Sequence, residues 1–177
     1  LNINYMNIEY LAEGTPIQKE VYQLLKQERI MEQLEGYSPI LVGTIPLDIN
    51  VEGSDLDIIC EVSDFDSFER YVEIKFGSYE GYTCIRRYVD AVQRIKVNFQ
   101  CGHWPIELFG QDIPTQEQNG YRHMIIEHKI LEVHGKQFKD RVRTLKQSGV
   151  KTEPAFAQIL GLEGDPYQAL LEYIDWE

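Results

Sequence analysis

The sequence predicts an α+β or α/β fold with a compact sheet, on three observations. A capped amphipathic segment opens the chain, short apolar and alternating runs fill the middle, and helical periodicity takes the final third. A length of 177 residues suits a single domain over 1–177, with its core at about 36–112 and a helical C-terminal part at about 113–177. A chain of this size buries roughly two-thirds of its unfolded surface and needs no disulfide staple.

The elements follow in order. Thr15-Pro16-Ile17-Gln18 predicts a helix start: Thr15 can cap, Pro16 suits the first helical position, and Gln18 completes a capping box. Ile17, Val21, Leu24 and Leu25 then recur at helical spacing. A second helical stretch near 28–35 stops at Gly36, and Pro39 keeps the chain extended. Residues 39–42 form a short apolar run, read as a buried strand ending at Gly43-Thr44. Ten residues without periodicity follow, containing Pro46 and Gly53, before a second strand over 56–62. Asp64 can cap a helix that carries Phe65, Phe68, Val72 and Phe76 and closes at Gly77.

Two further strands, 79–89 and 92–99, are joined by a tight turn. In the second, Arg94, Lys96 and Asn98 alternate with Ile95, Val97 and Phe99, the period of a half-exposed strand. Residues 104–109 read as another strand, with Pro105 placing it at an edge or at a strand start. Thr115 and Gln118 predict a second capping box, followed by a stripe of Tyr121, Met124, Ile125, His128 and Leu131 as far as Gly135. Helices near 138–146, 154–160 and 166–174 complete the chain, and Asp165-Pro166 repeats the cap-then-proline start.

The net charge is −12 and the pI about 4.8. Such acidity argues against extended DNA or RNA as the main partner, since a duplex binder carries a basic face. It leaves room for one mononucleotide held through a metal ion, because a cation inverts the local charge logic. Cys60, Cys84 and Cys101 form no CxxC pair, and Cys60 and Cys84 lie in apolar strand-like runs; free thiols suit a reducing cytoplasm. No apolar run approaches the ~18 residues of a membrane span, and no signal-peptide core opens the chain. Met6 is a candidate biological start.

Asp55-Leu56-Asp57-Ile58 carries the most chemistry. On a strand, residues i and i+2 share a face, so both carboxylates project together while Leu56 and Ile58 enter the core. Two adjacent anions raise each other's pKa unless a cation lies between them, and hard oxygen ligands suit Mg²⁺ or Mn²⁺. Gly43-Thr44 ends the preceding strand, where glycine allows close backbone approach and the hydroxyl can hold a phosphate oxygen. Glu107, flanked by Ile106 and Leu108, supplies a third acid for a two-metal site.

Leu41-Val42-Gly43-Thr44, ten residues, then Asp55-Leu56-Asp57-Ile58 resembles the signature of the nucleotidyltransferase (polymerase-beta-like) superfamily, including Ser54 before the first acid. More narrowly, the chain resembles a bacterial family of unknown function within that superfamily. There Gly-Thr-x-Pro, Ser-Asp-Leu-Asp-Ile, Ile-Glu-Leu-Phe and Tyr-Arg-His-Met recur, as at 43–46, 54–58, 106–109 and 121–124. The resemblance implies a mixed sheet of four to five strands flanked by helices, two Mg²⁺ ions, and transfer of an NMP group from an NTP to a hydroxyl acceptor. It implies Asp55, Asp57 and Glu107 as metal ligands, and Gly43 and Thr44 as triphosphate contacts with Ser54 beside them. Thr44 departs from the usual Ser or Gly: the hydroxyl stays, and the β-methyl narrows the space beside the phosphates.

Other residues have competing readings. Arg122 on the next helix could neutralise a β/γ phosphate, with His123 either beside it or in the core. Asp48 reads as a loop acid near the site or in solvent, and Arg94 and Lys96 as a solvated face or a contact for phosphate or an acidic acceptor. Tyr82, Tyr88 and Tyr121 could stack on a base or pack. His103, His128 and His134 lack zinc-ligand spacing. The alternative to an enzyme is a non-catalytic, antitoxin-like module of the same fold that binds nucleotide or a partner protein; a metal-dependent hydrolase would use the same acids with water as acceptor.

Overall fold

Alternation within the strands decides the layering. In a computed structural model that describes residues 2–173, β2 (Leu56–Glu61) sends Leu56, Ile58 and Cys60 to one side and Asp57 and Ile59 to the other. The sheet also contains β1 (Ile40–Val42), β3 (Thr83–Val89), β4 (Val92–Cys101) and β5 (Trp104–Gln111). Its order is β1-β2-β5-β4-β3, with β2 and β5 parallel and every other pair antiparallel. This is the mixed five-stranded sheet flanked by helices that the sequence implied.

One face is closed. α1 (Pro16–Gln27) and α3 (Phe65–Phe76) cover it with Val21, Leu25, Phe68, Val72 and Phe76, packed on Ile58, Val97 and Leu108. Both helices start as expected: Thr15 and Gln18 form a reciprocal capping box, and Asp64 accepts the Ser67 N–H at 3.0 Å. The short α2 (Ile30–Gln33) sits at the end of α1.

The other face is half covered. α4 (Asn119–Gln147), α5 (Thr152–Leu160) and α6 (Pro166–Leu171) pack Met124, Phe138, Phe156 and Leu170 onto Ile40, Val42 and Ile59. Loop residues Leu47 and Ile49 join this second core. α4 is broken at Gly135, where φ is 75° and ψ is −162°. A straight helix would set Glu127 and Lys146 about 28 Å apart; the bend returns both to one cleft. No helix among the described residues is long and apolar enough to cross a membrane.

Several expectations need correction. α4 begins at Asn119, not Thr115: residues Thr115–Glu117 form a single 3-10 turn, and Gln118 makes no cap. The Gln118 amide is buried and is drawn instead to the carbonyls of Cys60 (2.9 Å) and Ile113 (3.0 Å). The buried stripe on α4 is His123, Met124, Glu127 and Ile130, about one residue out of phase with the apolar reading. β5 is central, so of the two readings of Pro105 the strand start holds. The strand expected from 79 begins at Thr83, because residues 79–82 turn through Gly81 at φ 71°. The turn at 35–37 carries the second helical stretch past Gly36. The end of the last predicted helix, at Ile174, lies outside the described residues.

Candidate active site

Strand register assembles the acids. Asp57 on β2 is the direct partner of Glu107 on β5, and Asp55 immediately precedes β2. Each offers one carboxylate oxygen, and those atoms all lie within 4.8 Å of one another. All three residues are half-buried. The donor set is oxygen only, which fits a hard divalent cation such as Mg²⁺ or Mn²⁺.

The electrostatics bear the mark of that crowding. Burial first, then the Asp55 and Glu107 carboxylates, push the Asp57 carboxyl up to about 7, against a smaller opposing pull from Lys96. Burial also raises Glu107, while Lys96, whose ammonium lies 3.7 Å away, holds it down.

Gly43 shows why this position has no side chain. Its φ is 83°, and a methyl group there would sit 2.6 Å from Asp57 Oδ2. The residue therefore makes room for the carboxylate. Thr44 follows in a turn whose carbonyl accepts the Leu47 and Ile49 N–H groups, both at 3.2 Å. Ser54 Oγ accepts the Val51 N–H at 3.0 Å, shaping the loop that delivers Asp55.

These residues line a cleft of about 560 Å³ between the sheet and the C-terminal helices. Gly43, Thr44, Ser54, Asp55, Asp57 and Glu107 are all brought together there. Arg122 is not. Gly120 and Met124 face inward, so Arg122 between them points away; it is exposed and donates to Asn119 Oδ1 at 3.3 Å. Arg94, Lys146 and Lys151 are the cations that do line the cleft. Asp48 also lies elsewhere, paired with Lys139 (3.0 Å) and Arg143 (2.8 Å) of α4. His123 is a core residue whose Nε2 meets the Tyr167 carbonyl at 2.9 Å, and neither Tyr82, Tyr88 nor Tyr121 lines the cleft.

Sequence reasoning missed the opposite wall. Glu127 is buried and lines the cleft with one oxygen unpartnered; burial, then the neighbouring Glu153 carboxylate, hold its carboxyl well above the usual range. Lys146 donates to Thr152 Oγ1 at 2.8 Å, and burial depresses its ammonium against the pull of Glu153 and Glu127. No local motif marks these residues. The one sequence feature that bears on them is Gly135, where the helical stripe ends.

A model of a domain of unknown function, DUF4269, matches residues 23–173. No curated protein sequence matches the chain. Among solved structures, the Cid1 poly(U) polymerase bound to Mg 3′-dATP aligns with a TM-score of 0.55 at 11% identity, over 92% of this chain and 52% of that one. The GLD-2/RNP-8 complex gives 0.53 at 11%, over 87% and 63%. The polymerase core of TRAMP, an RNA surveillance complex, gives 0.50 at 15%, over 92% and 50%. The fold is nucleotidyltransferase-like, and the chain spans between half and under two-thirds of the length of these neighbours.

Proposed function

The chain belongs to the DUF4269 family of domains of unknown function, and on that premise we propose that it is a metal-dependent nucleotidyltransferase moving an NMP group from an NTP to a hydroxyl. The observation that carries this reading is the convergence of Asp55, Asp57 and Glu107 within 4.8 Å on a nucleotidyltransferase-like sheet. These three residues would hold Mg²⁺ or Mn²⁺, which when bound neutralises the triphosphate and acidifies the attacking hydroxyl.

The chain's own groups supply the rest. Gly43 and Thr44, which line the cleft just past β1, would hold a phosphate oxygen through the backbone and the hydroxyl. Lys146 and Lys151, across the cleft, offset charge on a leaving pyrophosphate. In the transfer, the acceptor oxygen bonds to the α-phosphorus, the bond from that phosphorus to the bridging oxygen breaks, and the hydroxyl proton passes to solvent. The free thiols Cys60, Cys84 and Cys101 fit a cytoplasmic setting, and residues 1–177 would act as one unit around the 36–112 core.

The test incubates the protein with labelled NTPs, Mg²⁺ or Mn²⁺ and a panel of hydroxyl compounds, beside Asp57→Ala. Metal-dependent NTP binding and transfer, both lost in the variant, are expected. Binding without transfer to any acceptor would favour the non-catalytic, antitoxin-like module; no metal-dependent binding in wild type would end both nucleotide readings.

A further inference from the structure

The helices leave half of the open sheet face bare, and that half is basic. Across it run three rows of directly paired residues: Asp57, Glu107, Asn98, Thr83; then Ile59, Phe109, Lys96, Ile85; then Glu61, Gln111, Arg94, Arg87. The metal-site acids begin the first row. Beyond β5 the next two rows turn cationic, with Lys96, Arg94 and Arg87 around the exposed Ile85.

Lys96 reaches back to Glu107 at 3.7 Å, and the two arginines are left without a carboxylate. Arg86, next in sequence but on the closed face, is held by Asp66 (2.8 Å) and Glu69 (2.5 Å) of α3. Among the described residues, Arg87 and Arg94 have no such partner, and Arg94 Nε is buried with no hydrogen bond although its side chain lines the cleft. In a chain with 29 acids against 17 lysines and arginines, two directly paired arginines without a carboxylate, one of them lining the cleft, are suited to an anion from outside.

Paired strands lie about 4.8 Å apart, so the directly paired Arg87 and Arg94 can converge on one phosphate. The surrounding net charge of −12 would repel a longer polyanion. The row of Arg94 lies about 13 Å along the strand from that of Glu107, a gap that long arginine side chains shorten to the size of a sugar. Phe109 and Ile85 offer apolar surface for such a skeleton.

Resting on the transferase reading above, we propose that the acceptor is a small phosphorylated hydroxyl compound. Its phosphate docks on Arg87 and Arg94, and its hydroxyl points toward Glu107 and the Lys96 ammonium beside it.

The test is an NMR titration of the ¹⁵N-labelled protein with glucose 6-phosphate, glucose, inorganic phosphate and a tetra-adenylate as probes. Wild type, Arg87→Gln and the Arg87→Gln/Arg94→Gln pair are compared. Glucose 6-phosphate is expected to shift the β3 and β4 amides and the arginine Nε–H signals more tightly than inorganic phosphate, with glucose silent. Affinity should fall a few-fold in the exposed single variant and at least tenfold in the pair, whose retained spectral dispersion reports folding. Equal binding by the pair, equal shifts from glucose, or tighter binding of the tetra-adenylate would each overturn the proposal. Mg²⁺-dependent binding of ATP, GTP, CTP and UTP to the same wild-type sample separates the two readings. If any NTP binds and the sugar phosphate does not, the acceptor inference fails alone; sugar-phosphate binding with no NTP bound leaves an anion shelf and removes the transferase reading.

Discussion

Leu56, Ile58 and Cys60 leave β2 toward α1 and α3, whereas Asp57 and Ile59 leave it toward α4, α5 and α6. The first set meets a continuous apolar layer, and the second meets a cleft with acids on one wall and Glu127, Lys146 and Glu153 on the other. Adjacent residues of one strand thus belong to two environments. The closed face supplies rigidity, and that rigidity lets the open face hold like charges near one another at a cost in electrostatic energy.

The contrast is sharpest in stability. Phe68→Ala removes a fully buried ring from the closed face and is expected to cost about 3–5 kcal/mol, read from urea denaturation. A loss near that of a surface substitution would mean the closed face is not the source of rigidity.

Gly43→Ala attacks the border between the two faces. It places a Cβ against Asp57 at a positive φ, so about 1–2 kcal/mol of backbone strain is expected. Calorimetry should also show Mg²⁺ affinity lowered at least tenfold. Unchanged metal affinity would mean that Asp57 is not held where a ligand needs it.

Asp57→Asn probes the electrostatic cost directly. A carboxyl raised to about 7 from an ordinary value of 3.8 binds more protons folded than unfolded across that interval. The metal-free wild type should therefore lose stability as pH rises from about 4 to about 7. The variant, in which only the raised Glu107 and Glu127 carboxyls remain, should lose less, melting roughly 5 °C above wild type at pH 8 and converging with it at pH 4. Parallel curves for the two proteins would show that the crowding is not felt.

The smallest effect is expected at Glu127. With burial raising its carboxyl and no ion pair to Lys146, it should tolerate Glu127→Gln within about 1 kcal/mol, whereas a buried ion pair with Lys146 would lose several. Chemical denaturation of the variant distinguishes the two.

What the sequence revealed followed the range of the interactions involved. Asp55 and Asp57 were legible because strand alternation is local, and α1 and α3 because their caps lie within three residues of the first turn. Glu107 could be named, but its pairing with Asp57 depends on a parallel contact fifty residues away in the chain. Arg122 was misplaced because a helix turns about 100° per residue, and packing through Gly120 and Met124, not composition, sets which way it faces. Lys146, Lys151 and Glu153 were invisible, since their approach to the acids depends on a change of helix direction that no spacing rule encodes.

That change of direction at Gly135 has its own arithmetic. The segment from Gly135 to Lys146 behaves like a screw of fixed pitch, seated by Phe138 and Val142 and meeting the cleft only at its far end. One residue inserted between Val142 and Lys146 would swing the ammonium about 100° out of the cleft with the seat intact, while a whole turn of three or four would restore its heading one step further along. The arm's length is thereby quantised, and relatives of this chain should vary around the exposed corner at 132–137 more readily than between 142 and 146.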